Sequence, residues 1–315
     1  MKFGDRKKII FISTMHRSSE RIIEAIARLQ EKFDVTIFNI GQSSEKTKFA
    51  ASLRYHRLQK ALFKHNKIIQ GPHIKVPSDT RTAQFGNRVS EFLMKNIDSD
   101  CDAIITDDGR STIPFIRQIY NIAKKINKRI TVFGNCEGLV TKASMKVKYG
   151  AHNGKCYFDY FFCFGKYDFD HLVKNKIVPK EKLVKIGIPQ NDVIEKVTDI
   201  SEDYILFIPN FVVLRSSESH FDLGQKQIFL DRNFVKKFGF EELQEHTKKK
   251  ILVKLKPRLQ ENMTEARNYI KGIFKGIDIE ILDNLEYDDV DLIKRAHSVV
   301  SYGTQMCLKG VVMGK

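Results

Sequence analysis

Apolar runs of four or five residues alternate along this chain with longer stretches in which apolar positions return every third or fourth residue. The short runs read as buried strands and the longer ones as amphipathic helices. Their alternation predicts parallel sheets covered by helices. In the first half the expected strands span residues 9–13, 35–39, 103–106, 130–134 and 160–164, and the expected helices 19–32, 45–64, 84–96 and 113–126. Over 19–32, Ile22, Ile23, Ile26, Ala27 and Leu29 fall on one helical face.

The pattern then breaks and restarts. A strand ends at Gly187-Ile188-Pro189, and residues 192–203 carry few packing signals. Strands are expected again over 205–208, 251–255, 277–281 and 298–301, with helices over 229–249, 261–274, 288–296 and 305–313. The polar stretch 211–225, with Ser216, Ser217, Ser219 and Gly224, reads as a loop or insertion. The expected organisation is α/β: two Rossmann-like domains over 1–187 and 204–315, joined by a hinge or linker at 188–203. The second half stops at Lys315, just after an apolar helix-like run. A Rossmann-like half would carry a further strand and helix there, so the second domain is expected to be truncated at its C-terminus.

Composition narrows this picture. A chain of 315 residues has room for about two domains, and 42 % hydrophobic residues with 23 Phe supply real cores, which excludes wholesale disorder. The apolar runs fall well short of the ~20 residues needed to cross a bilayer. The N-terminus enters a strand-like segment without the apolar core and cleavage site of a signal peptide, so a cytoplasmic location is expected. The cysteines (Cys101, Cys136, Cys156, Cys163, Cys307) form no Cys-x-x-Cys pair and read as reduced, apolar residues. A net charge of +16 favours polyanions: nucleotide diphosphates, acidic glycans, an anionic membrane surface or nucleic acid. Lys and Arg are spread along the whole chain, and no zinc-finger spacing or aromatic-rich RNA-binding signature accompanies them, so no specific nucleic acid is expected.

Ligands of open parallel sheets bind beyond the carboxyl ends of the strands, and four strand-ending loops carry candidate chemistry. Asp107 and Asp108 follow the strand at 103–106 and lead into Ser111-Thr112. They read either as helix caps or, for one Asp, as a contact to an acceptor hydroxyl. Glu137, in Asn135-Cys136-Glu137-Gly138, reads as a general base or as a solvated loop residue. Lys254, Lys256 and Arg258 close the strand at 251–255 and suit a diphosphate, or are a solvated basic terminus. Gly303 and Thr304 open a helix, where unpaired backbone N–H groups attract an anion; Thr304 serves equally as its cap.

Several segments together resemble the GT-B proteins of bacterial surface-polysaccharide synthesis. Residues 162–168 (Phe-Cys-Phe-Gly-Lys-Tyr-Asp) followed by Gly187-Ile188-Pro189-Gln190-Asn191-Asp192 are similar to the end of the first domain and its Gly-x-Pro-x-x-Asp hinge. Asn135 to Val140 resembles the Glu-Gly-Leu-Val loop of surface carbohydrate biosynthesis proteins. Ile208-Pro209-Asn210-Phe211 resembles the opening of their second domain, and 301–315 their donor-site helix. The wider group holds CDP-glycerol glycerophosphotransferases, capsule polysaccharide transferases and UDP-N-acetylglucosamine 2-epimerases.

The resemblance implies a GT-B fold, two domains facing across a cleft, and transfer from a nucleotide-linked sugar or polyol donor to a glycan or polyol-phosphate acceptor. Gly303 and Thr304, with help from Arg258, would hold donor phosphate, and Lys254 is a candidate beside them from its place at the strand end. Glu137 would act as a base or an acceptor contact, and Gly187, Pro189 and Asp192 would shape the hinge; Asp107 joins Glu137 as a catalytic candidate from its place at the strand end. No metal or other cofactor is expected, since basic residues can neutralise the leaving group, and the acceptor implies peripheral contact with the inner membrane face. Two positions depart from the group's pattern: Lys256 stands where a His precedes Pro, and Lys309 where a Glu binds ribose hydroxyls. A cation cannot accept hydrogen bonds from a diol. Three alternatives therefore stand beside the transferase: an inactive or truncated GT-B nucleotide-binding protein, a sugar-nucleotide 2-epimerase and a nucleic-acid-binding protein.

Overall fold

The computed structural model describes residues 6–14, 16–40, 50–72, 83–136, 145, 149, 155–187, 203–209, 232–255, 263–282, 289–301 and 305–315. The chain divides into two compact units, Met1–Gln190 and Asn191–Lys315.

The first unit is built on seven strands: β1 (Lys8–Ser13), β2 (Asp34–Asn39), β3 (Ile68–Gln70), β4 (Ala103–Thr106), β5 (Thr131–Asn135), β6 (Tyr160–Cys163) and β7 (Leu183–Lys185). They form one sheet in the order β3-β2-β1-β4-β5-β6-β7, every neighbouring pair parallel. The connecting helices are α1 (His16–Leu29), α2 (Ala50–Leu62), α3 (Ala83–Asn96), α4 (Pro114–Ile126) and α5 (Lys166–Lys174).

Strand alternation explains how an almost wholly apolar β1 is used. Ile9 and Phe11 join a core with Ile22, Ile23 and Ile26 of α1 and Tyr55 of α2. Ile10 and Ile12 join another with Phe85, Val89 and Leu93 of α3 and Phe115, Ile116 and Ile119 of α4. The sheet is thus covered on both faces, as its parallel pairing requires. A third core, around Tyr149, Phe158, Phe161 and Leu172, packs at the β6–β7 side. Strand β3 is absent from the pattern read in the sequence. It is a three-residue edge strand, partly buried at most, and offers too short an apolar run to register.

The second unit holds β8 (Tyr204–Ile208), β9 (Lys250–Lys254), β10 (Ile279–Leu282) and β11 (Ala296–Ser301), all parallel, in the order β10-β9-β8-β11. Its helices are α6 (Arg232–Phe238), α7 (Phe240–Thr247), α8 (Met263–Ile273), α9 (Asp289–Lys294) and α10 (Gln305–Val312). The single helix expected over 229–249 is two, α6 and α7. Gly239 sits between them at φ +73°, a left-handed conformation that favours glycine. The break re-aims the chain so that Phe240 is fully buried against Phe207 and Phe274, with ring centroids 4.8 and 5.2 Å away. Among the described residues, no helix is long and apolar enough to cross a membrane.

Candidate functional site

Each sheet has one point where its strand order reverses: between β1 and β4 in the first unit, and between β8 and β11 in the second. At such a point the loops leaving two adjacent strands turn to opposite sides, opening a crevice at the carboxyl edge.

In the first unit this edge carries a rank of polar residues. Gln70, Asn39 and Ser13 end β3, β2 and β1 in direct register. Asp107 is one step past Thr106, the partner of Ile12, and so stands level with Ser13; its N–H donates to the Ile12 carbonyl at 3.2 Å. Asn135 is two steps past Phe133, the partner of Ile105, and so stands level with Asp107. By alternation the rank lies above Ile37, Phe11, Ile105 and Phe133, all in the core under α1 and α2.

Most of the rank is tied up within the protein. Asp107 is fully buried, and its carboxylate accepts from the Thr14 N–H at 2.9 Å, the Thr14 hydroxyl at 2.5 Å and the Ser19 hydroxyl at 2.5 Å. The Ser13 hydroxyl closes the group against Ser19. Asn39 and Gln59 pair their amides reciprocally at 2.8 and 3.1 Å, and the Tyr55 and Gln70 side chains complete that cluster. Asn135 differs. It is 2 % exposed, and its Oδ1 is enclosed with no hydrogen-bond partner among the described residues.

The loop after Asp107 is held by packing as well as by polar bonds. The buried Asp108 carboxylate is gripped by the Arg110 side chain, with Nε at 2.8 and 3.0 Å, and also accepts from the Arg110 N–H at 2.9 Å. Gly109 donates its N–H to the Asn135 carbonyl at 2.9 Å. A Cβ on Gly109 would lie 2.4 Å from the Phe161 ring, so only glycine lets the chain pass there. Neither aspartate caps α4, which starts at Pro114 behind Ile113 with no side-chain cap bond. The capping alternative fails because both carboxylates are engaged elsewhere, Asp107 by Thr14 and Ser19 and Asp108 by Arg110.

In the second unit, Lys254 is the last residue of β9, and the Ser301 hydroxyl at the end of β11 donates to the Ile208 carbonyl of β8 at 3.1 Å. Helix α10 follows three residues after β11 and lies close on it. A Cβ on Gly310 would come within 3.2 Å of Val299. Lys309 is partly buried on α10. Arg258, Gly303, Thr304, Glu137, Pro189, Asp192 and Lys256 lie outside the described residues. Gly187 is described; its φ of +75° puts it in the left-handed region.

Burial pushes the Cys163 thiol up to about 12 and the Cys101 thiol up to about 11, so both stay protonated at neutral pH. Cys101, Cys136, Cys156 and Cys163 are buried and form no disulfide.

The polar rank was not read in the sequence beyond Asp107. Its signal is the recurrence of one polar residue at the carboxyl end of successive apolar strands: Ser13, Asn39, Gln70, Asp107 and Asn135.

No protein-family model and no curated protein matches this chain. Solved structures do match it. The Anabaena protein HepE, in complex with UDP and glucose, superposes with a TM-score of 0.59 at 10 % identity, covering 98 % of this chain and 79 % of HepE. A glycosyltransferase from Rickettsia africae gives 0.57 at 15 % identity, over 99 % of this chain and 78 % of its own. The UDP-GlcNAc 2-epimerase of Methanocaldococcus jannaschii, in complex with UDP-GlcNAc and UDP, gives 0.55 at 16 % identity, over 98 % and 82 %. At these identities the likeness establishes the fold. The chain has the GT-B type of architecture, a seven-stranded parallel unit followed by a second parallel unit.

Proposed function

We propose that this chain binds a nucleotide-linked sugar or polyol donor at the carboxyl edge of the second sheet and transfers the sugar or polyol phosphate to a glycan or polyol-phosphate acceptor held by the first unit. The observation that carries this reading is the pairing of β8 with both β9 and β11. Strand β9 ends at Lys254 and leads to Lys256 and Arg258; β11 leads through Gly303 and Thr304 into α10. Strands lie ~4.8 Å apart, so the two loops leave the same edge about 10 Å from each other, one carrying cations and the other opening a helix N-terminus. Both suit a diphosphate. Neighbours of the same fold crystallised with UDP support the same ligand class.

In this reading Arg258 offers a planar fork and Lys254 a point charge to the leaving diphosphate, and the helix N-terminus with Gly303 and Thr304 adds backbone N–H donors. These groups stabilise developing negative charge without a nucleophilic side chain and without a required divalent ion. Glu137 takes the proton of the acceptor hydroxyl as the acceptor oxygen attacks: at the anomeric carbon of a sugar donor, with the nucleoside diphosphate leaving, or at the distal phosphorus of a polyol donor, with the bond between the two phosphates breaking and the nucleoside monophosphate leaving. Asp107, assigned beside Glu137 from the sequence, acts here by positioning: its carboxylate holds the β1–α1 connection rather than a substrate. The net charge of +16 supports an encounter with acidic acceptors or an anionic membrane surface.

A second reading, 2-epimerisation of a UDP-sugar, is favoured by the epimerase neighbours. It requires no acceptor, so a C2 epimer appearing by NMR from UDP-GlcNAc alone would select it.

The donor site is tested by melting the protein with UDP, CDP, GDP and CMP and their sugar or polyol conjugates. At a hundred times its Kd, a bound donor adds about 2.7 kcal/mol, a shift of several degrees. The expected result is a shift selective for one nucleotide and lost in Arg258→Ala and Thr304→Ala. A cooperative melt that no nucleotide shifts would overturn the assignment.

A further inference from the structure

Four of the five members of the polar rank in the first unit, Gln70, Asn39, Ser13 and Asp107, bond to protein partners. The fifth, Asn135, is 2 % exposed, yet its side-chain Oδ1 has none among the described residues. Enclosing an amide oxygen without a donor costs stability, and native proteins rarely leave one in that state. The position sharpens the point. Asn135 ends β5 at the carboxyl edge, one strand from the reversal between β1 and β4. Its backbone is pinned from both sides: its carbonyl accepts from the Gly109 N–H at 2.9 Å, and the following Cys136 N–H donates to the Phe162 carbonyl at 3.1 Å. Gly134, just before it, has no room for a Cβ, with the Gly109 Cα 3.0 Å from where that atom would stand. The carboxamide is therefore held on a rigid support while its oxygen is left over.

We propose that Asn135 is an acceptor-binding residue, its Oδ1 taking a hydrogen bond from a hydroxyl of a polyhydroxylated ligand, a sugar or a polyol. The assignment rests on the reading of the first unit as the acceptor side. An oxygen suits that ligand because a polyol or sugar carries several O–H groups that can donate. The neighbouring Asp107 carboxylate accepts from Thr14 and Ser19, so at that level of the sheet edge it is the Asn135 Oδ1 that lacks a protein donor among the described residues.

The test exploits opposite effects on stability and binding. Replacing an unpartnered buried amide by an apolar side chain of similar shape is neutral or stabilising, whereas replacing a partnered one destabilises. Asn135→Leu is therefore expected to melt within about 1 °C of the natural protein, or higher. Ligand-observed NMR titrations with methyl α-glucoside, N-acetylglucosamine and glycerol 3-phosphate are expected to show at least one probe binding the natural protein and binding Asn135→Leu about tenfold more weakly. A melting temperature lower by about 3 °C or more would show that the amide is a structural partner, and would overturn the proposal. So would an absence of binding by all three probes, or equal binding by both proteins. Nucleotide-conjugate melts run on both proteins separate the two failures. No shift in the natural protein strikes the donor site, while an intact shift with unchanged probe binding strikes Asn135 alone.

Discussion

Asp107→Ala is expected to cost about 3–5 kcal/mol of stability, measured by urea unfolding at neutral pH. The wild-type carboxylate is fully buried and receives three hydrogen bonds, from the Thr14 N–H, the Thr14 hydroxyl and the Ser19 hydroxyl. Hydrogen bonds to a charged group are worth more than neutral ones, and truncation strands all three donors in a space too polar to close over itself. Asp107→Asn keeps one acceptor oxygen and is expected to lose roughly half as much, on the order of 2 kcal/mol. A loss below about 1 kcal/mol for Asp107→Ala would mean that the β1–α1 connection is held by something else.

Glu137→Gln is expected to reduce transfer turnover by about 10²–10⁴-fold, the range for loss of a general base, while donor affinity stays the same. Glutamine keeps the length and shape of the side chain but cannot take a proton at neutral pH. The predicted split follows from the proposed placement of donor and base on different units: the proposal puts donor phosphate at the loops after β9 and β11, whereas Glu137 follows β5. Single-turnover rates and donor titrations on the same variant check it. If donor affinity falls in step with turnover, Glu137 is holding the donor and the division of labour is wrong.

The sequence made the sheets legible because parallel strands are buried on both faces and leave continuous apolar runs. Ile9 to Ile12 and Ile205 to Ile208 stand out for that reason, and most of their helices follow from the spacing between them. Strand β3 escaped because an edge strand of three residues has only Ile68 and Ile69 to show. The break between α6 and α7 escaped because helical periodicity runs through Gly239, and the pull of Phe240 toward Phe207 and Phe274 is tertiary.

The candidate site was readable only as positions at strand ends. Asp107 could be singled out, but its role depends on Thr14 and Ser19, 93 and 88 residues away, which come together only because β1 and β4 pair. A polar residue after an apolar strand also looks the same whether it starts a loop, caps a helix or faces a ligand. That is why Asn39 was not singled out and Asn135 entered only as part of the Glu137 loop, and why Asp107 and Asp108, open to a capping reading, serve the sheet edge instead.

Hydrogen exchange by mass spectrometry, with and without the nucleotide conjugate that shifts melting most, tests the placement of the donor most directly. Protection is expected in peptides spanning 255–262 and 301–309, at the carboxyl edge of the second sheet. Protection confined to the first unit, or none in either of these peptides, would contradict it.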